Sequence, residues 1–136
     1  MDTLNLLEFG KLYTAAWCSQ EASRVAGFYS ENGSLQINNG PPSIGRSAIT
    51  NAAREFMTAF PDLVVKINGI GFEGKHAIYH WTLTGTNTGP GGSGNFVCIS
   101  GYEEWTFDVA GLILESKGHF DEVDFNRQLN SSFENK

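Results

Sequence analysis

Ile49-Thr-Asn-Ala-Ala-Arg-Glu-Phe-Met-Thr-Ala-Phe-Pro-Asp-Leu-Val-Val65 decides the fold, because two periodicities meet inside it. Ile49, Ala52, Ala53, Phe56, Met57 and Phe60 recur at helical spacing and share one face, which predicts a helix over residues 46–60. Pro61 ends it, since proline has no N–H and its ring excludes a further helical turn. Beyond Pro61 the chain turns to β-branched and aromatic residues. Leu63–Phe72, Ala77–Thr86, Phe96–Phe107 and Leu112–Phe120 read as four strands. Glu73–His76 and Asp108–Gly111 suit hairpin turns, and glycine-rich Asn87–Asn95 suits a longer, flexible connection.

Upstream, Leu6, Phe9, Leu12, Tyr13, Ala16 and Trp17 make a second apolar stripe and predict a helix over residues 4–17. Ser19 is a candidate cap for a short helix through Phe28, and residues 34–37 suit a short strand. A last helix over about residues 122–129 follows the fourth strand directly. Helices first and antiparallel strands after imply an α+β fold. The simplest packing lays the N-terminal helices on the concave face of a curved antiparallel sheet. Bulges supply such curvature, and the result is a cone-shaped cavity.

The 136 residues suit a single domain spanning 1–136. Ten phenylalanines can fill a core and line an apolar pocket. The net charge of −6 is uneven, because residues 101–136 hold three basic against eight acidic groups. No Lys/Arg cluster occurs, which argues against nucleic-acid or anionic-membrane partners. No apolar run approaches the ~20 residues of a membrane span, and the N-terminus lacks a signal-peptide pattern. A soluble, cytoplasmic protein is expected. Cys18 and Cys98 read as buried free thiols, and His76, His80 and His119 show no metal-ligand spacing. Neither a metal nor any other cofactor is expected.

Gly69-Ile-Gly-Phe-Glu-Gly74 matches a dinucleotide-binding pattern, but the segment after it is a strand. The mechanism needs a helix N-terminus there to receive the pyrophosphate. Gly89–Gly94 lacks the Gly-Lys-Ser/Thr of a phosphate loop, and no Gly-x-Ser-x-Gly elbow occurs. Carboxyl groups carry the remaining chemistry. Val97, Ile99, Gly101, Glu103 and Trp105 share one strand face, so Glu103 would stand among apolar neighbours. Asp121 lies where the last strand meets the last helix. It fits two roles equally, a proton-transfer group at the sheet rim or an N-cap.

Ala59-Phe-Pro-Asp-Leu63, His80-Trp-Thr-Leu-Thr-Gly-Thr-Asn-Thr-Gly89, Glu104-Trp-Thr-Phe107, Gly111-Leu-Ile-Leu-Glu115, Phe120-Asp121 and Arg127-Gln-Leu129 occur in an order and spacing that resemble the SnoaL-like polyketide cyclase group. That group lies within the ketosteroid-isomerase-like, or nuclear-transport-factor-two-like, fold. The resemblance covers nearly the whole chain and implies a cone with a carboxylate-bearing pocket. It matches Asp121 to the cyclases' acid, and Glu103 to the protonated acid of the isomerases' oxyanion hole. It also turns Ser116 and Phe120 toward the cavity. Three departures stand out. Asn38-Asn39 replaces the isomerases' general-base Asp, Asn87 replaces the His of a Gly-Thr-His-Thr-Gly pattern, and the Arg-x-Asp pairing of epoxide hydrolases is not evident.

The resulting expectation is a cofactor-free pocket protein that transfers protons on an apolar, carbonyl-bearing molecule, as isomerase, cyclase or lyase. Asp121 or Glu103 would be the acid/base, and Tyr13 would donate to the developing oxyanion. Trp17, Phe56, Phe60, Ile99, Trp105, Ser116 and Phe120 would line the pocket. The alternative is a non-catalytic ligand-binding or dimerisation module of the same fold. A homodimer through the outer sheet face is expected on the same resemblance.

Overall fold

The structure, a computed structural model, describes residues 2–130. Helices α1 (Thr3–Cys18) and α2 (Ala22–Ala26) lead into strand β1 (Tyr29–Ile37) and the short β2 (Ser43–Ile44). Helix α3 (Arg46–Ala59) follows. Then come β3 (Val64–Glu73), β4 (His76–Thr86), β5 (Phe96–Phe107), β6 (Ile113–Phe120) and helix α4 (Glu122–Asn130). The change of periodicity at Pro61 marks the boundary between α3 and β3, and the fold is the α+β arrangement expected.

One sheet of six strands runs in the order β2-β1-β6-β5-β4-β3. Strands β3 to β6 form an antiparallel meander. β1 is longer than the expected residues 34–37 and lies parallel to β6. Polar Glu31-Asn-Gly33 interrupts its alternation, and its register shifts between Tyr29 and Ser34. The pairing partner comes from the far end of the chain, so no local pattern announces it. Asn68 is skipped in the β3–β4 register, and Leu114 in the β5–β6 register. Such bulges bend a strand and raise its twist, and the sheet is curled and unclosed.

α1 packs on β3 at Gly10, where an added Cβ would come within 2.8 Å of the Ile70 side chain. That close approach carries Tyr13 of the same helix into the core. Its ring meets Trp105 at 5.0 Å and Tyr79 at 5.4 Å, while Tyr79 stacks on Trp105 at 4.9 Å. Aromatic pairs of this geometry contribute roughly 0.5–1.5 kcal/mol each beyond burial.

Ser19 does not cap α2, which begins at Ala22 after a left-handed Gln20 (φ 64°). Its hydroxyl donates to the Ala16 carbonyl instead. Cys18 and Cys98 are exposed, not buried as expected. Cys98 belongs to the outward set of β5, which strand alternation fixes. α4 seals the end of β5 that β6 leaves unpaired before Gly101. There the Gln128 side-chain amide takes both backbone groups of Cys98, at 2.6 and 3.0 Å, in place of a strand. Among the described residues no helix is long and apolar enough to cross a membrane.

Candidate active site

The inner face of the sheet lines an open-mouthed cavity of about 60 Å³. α1 gives Trp17 to its wall and α3 gives Phe56. β1, β3 and β4 give Leu35, Ile37, Val65, Tyr79, Trp81 and Leu83; β5 and β6 give Ile99, Glu103, Gly118 and Phe120. Glu103 is the one carboxyl among these groups. Its place follows from alternation: Val97, Ile99, Glu103 and Trp105 are all buried, while Glu104 turns to the outer face toward His76.

Glu103 is 8% exposed and is held by three side-chain donors. Oε1 accepts from Ser116 Oγ at 2.7 Å, Trp105 Nε1 at 2.8 Å and the Tyr13 hydroxyl at 2.9 Å. Among the described residues Oε2 has only the longer 3.3 Å contact with the same hydroxyl. With Oε1 saturated, Oε2 is the oxygen with room for a proton or a ligand. Burial pushes the Glu103 carboxyl above the usual carboxylate range, and the bonds from Trp105, Ser116 and Tyr13 pull part of the way back. Glu103 is therefore shifted toward keeping its proton to higher pH than a surface Glu, and it is held in a fixed orientation.

Tyr13 is fully buried behind Glu103 and is not part of the cavity wall. Its hydroxyl donates to Glu103, so the Tyr29 hydroxyl, 2.9 Å away, donates to it. Burial first, and the Glu103 charge after it, push both phenols well above their ordinary range. Both remain neutral donors. Tyr79 lines the cavity with its ring, but its hydroxyl is bound to Thr14.

Of the other expected wall residues, Trp17, Phe56, Ile99 and Phe120 line the cavity. Trp105 and Ser116 stand behind the wall as partners of Glu103. Phe60 faces α4, with its ring 6.2 Å from Phe125. Asp121 is exposed, and its Oδ1 accepts the Asp124 N–H at 3.0 Å, the geometry of an N-cap of α4. The structure thus brings Tyr13, Ser116 and Trp105 to Glu103, and leaves Asp121 outside. Asn87, which stands where the resemblance has a His, ties a loop together: its amide donates to Ala59 O and accepts the Ser93 N–H. Tyr29, Tyr79 and Trp81 were missed by sequence reasoning. Alternation along Ala77–Leu83 points the last two inward, and that signal was available.

The family model for SnoaL-like polyketide cyclase matches residues 8–129. No curated protein matches the chain. Among solved structures, a putative SnoaL-like polyketide cyclase from Jannaschia sp. CCS1 is similar with a TM-score of 0.78 and 15% identity, over 97% of this chain and 98% of that one. A hypothetical protein with ketosteroid isomerase-like fold from Catenulispora acidiphila, in complex with trimethylamine, gives a TM-score of 0.79 and 13% identity, over 92% and 94%. AclR, a putative hydroxylase from Streptomyces galilaeus, gives 0.78 and 19%, over 94% and 82%. At these identities the likeness concerns the fold.

Proposed function

This chain belongs to the SnoaL-like polyketide cyclase family, and from that premise we propose that it is a proton-transfer enzyme acting on an apolar, carbonyl-bearing small molecule, with Glu103 as its acid/base. The observation that carries the reading is the one carboxyl, among the described residues, of an otherwise apolar cavity wall, with one oxygen saturated by three donors and the other holding a single long contact. A carboxyl raised toward neutrality exchanges protons readily in both directions.

With no second carboxyl in the wall among the described residues, both transfers run through Glu103. Its carboxylate takes the proton α to the ligand's carbonyl, and the electron pair of the broken C–H bond moves into an enolate. The new Glu103 O–H then returns the proton. Returned to a different carbon, it completes an isomerisation. If the enolate carbon has meanwhile attacked a second carbonyl of the same molecule, the proton goes to the new alkoxide and the outcome is a cyclisation. Tyr13, Trp105 and Ser116 orient the carboxyl and stabilise its anion, so they are positioning residues here.

The test is exchange of the α-protons of 1,3-diacetylbenzene in D2O, followed by proton NMR. The wild-type protein should accelerate exchange, and Glu103→Gln should lose at least about a hundredfold of that acceleration. Binding without any acceleration would leave a ligand-binding module in its place.

We further propose a cytoplasmic homodimer. The free, exposed Cys18 and Cys98 suit a reducing compartment. On the outer sheet face Tyr102 is 39% exposed, with its ring 4.9 Å from His119 and 6.0 Å from His80. Leu114 adds an exposed apolar group on β6. A second copy would cover this patch. Light scattering at tens of micromolar should give twice the chain mass, and a monomer mass would contradict it.

A further inference from the structure

Two buried side-chain N–H groups have no hydrogen-bond partner among the described residues: Trp81 Nε1 and Asn38 Nδ2. An enclosed donor without a partner is rare in a folded protein and costs it stability. Both belong to one row across the sheet. Trp81 on β4 is paired with Gly101 on β5, Gly101 with Phe120 on β6, and the Asn38 side chain binds the Phe120 N–H from the end of β1.

The row ends at the cavity. Trp81 and Phe120 line it, as do Ile37 and Gly118 beside Asn38; Asn38 itself stands behind the wall, and both nitrogens are closed off until a side chain turns. Each donor is held in place by something that does not satisfy it. The Trp81 indole lies over Gly101, where an added Cβ would come within 2.7 Å of its Cζ2. The missing side chain at Gly101 seats the nitrogen-bearing edge of the ring. Asn38 adopts a left-handed backbone (φ 52°), and its N–H binds Gly118 O at 2.8 Å. Its Oδ1 accepts the Phe120 N–H at 3.0 Å, which fixes the amide and leaves Nδ2 as the unused end.

We propose that the Phe120 end of the cavity is a second, oxygen-binding subsite, in which Trp81 Nε1 and Asn38 Nδ2 take a carbonyl or enolate oxygen of the ligand. Glu103 is two residues from this row along β5, on the same face, a strand distance of roughly 7 Å. The ligand class is therefore an apolar molecule with two oxygens: one meets Glu103 and the other meets the donor pair. The assignment of the first oxygen rests on the acid role proposed for Glu103, but the donor subsite does not. Asn38 cannot act as a base, yet it can hold an oxyanion, so the departure from the isomerases' Asp acquires a purpose.

The test compares the affinities of 1,3-diacetylbenzene and 3-ethylacetophenone, which differ by one carbonyl oxygen. The wild-type protein should prefer the diketone about tenfold, one good hydrogen bond's worth. Trp81→Phe and Asn38→Asp should each bring the preference to about twofold or less. Asn38→Asp keeps the acceptor for Phe120 N–H and tolerates the left-handed backbone. Independently of any variant's folding, the Trp81 indole resonance of nitrogen-15-labelled wild type should move on adding the diketone and stay on adding the ethyl compound.

Equal wild-type affinities, binding of neither probe, a preference that survives both substitutions, or an unmoved indole resonance overturns the subsite. Loss of α-proton exchange in Glu103→Gln with that preference intact in both variants keeps the acid and discards the subsite. Loss of preference in both variants with exchange intact in Glu103→Gln keeps the subsite and discards the acid.

Discussion

The inner wall of β5 and the corner between β6 and α4 each present a carboxyl, and they put it to opposite uses. Glu103 stands on the inward set of a strand, 8% exposed, with three side-chain donors on one oxygen. Asp121 stands one residue past the end of β6, exposed, with a backbone N–H as its partner. In the first region the fold carries the cost of burying an ionisable group. In the second it uses a carboxylate where water and a helix N-terminus already favour one. Parity decides between them. Phe120 takes the inward position, and Asp121 follows it into the turn.

The largest effect that can break this contrast is on catalysis. Glu103→Gln keeps an oxygen to accept the three donors and an N–H₂ in place of the acid O–H, so the fold should survive while α-proton exchange falls at least about a hundredfold. Asp121→Asn should leave that exchange unchanged. Equal losses in the two variants would erase the distinction.

Stability gives the next effect. Glu103→Leu strands the Ser116, Trp105 and Tyr13 donors inside the core. It should destabilise the fold by roughly 3 kcal/mol or more in urea unfolding, far more than Glu103→Gln. pH sharpens the point. A carboxyl raised by burial binds its proton more tightly folded than unfolded. Its contribution is therefore complete below the unfolded pKa and is lost as pH rises through the folded one. Wild-type stability should fall across that window, and Glu103→Gln should remove the fall.

Smaller changes follow. Tyr13→Phe removes a bond that favours the Glu103 anion, so the pH profile of exchange should move upward and stability should drop by about 1 kcal/mol. Asp121→Ala should cost about 1 kcal/mol through the lost cap, with exchange again unchanged.

Much of this was legible in the sequence, and for identifiable reasons. The boundary at Pro61 and the four C-terminal strands rest on local periodicity, which a single chain displays. Glu103 on the inner face of β5 follows from the same alternation. The parallel pairing of β1 with β6 was not legible, because its partners are Tyr29 and Ile113, far apart in sequence, and Glu31–Gly33 interrupts the pattern. The position of Tyr13 behind Glu103 also escaped. A helical stripe says that a residue faces inward, not whether it reaches the cavity or stops at the layer beneath. The unpartnered Trp81 and Asn38 nitrogens depend on three-dimensional hydrogen-bond accounting, and no sequence pattern carries that information.

The proposed chemistry turns on the protonation of one group, and carbon-13 NMR of the side-chain carboxyl signals measures it directly. The resonance absent from Glu103→Gln identifies Glu103. Its titration midpoint should lie above the ordinary glutamate value of about 4.3. A midpoint at or below that value would mean that the Tyr13, Trp105 and Ser116 donors outweigh burial, and Glu103 would then be a structural anion and not the acid of this cavity.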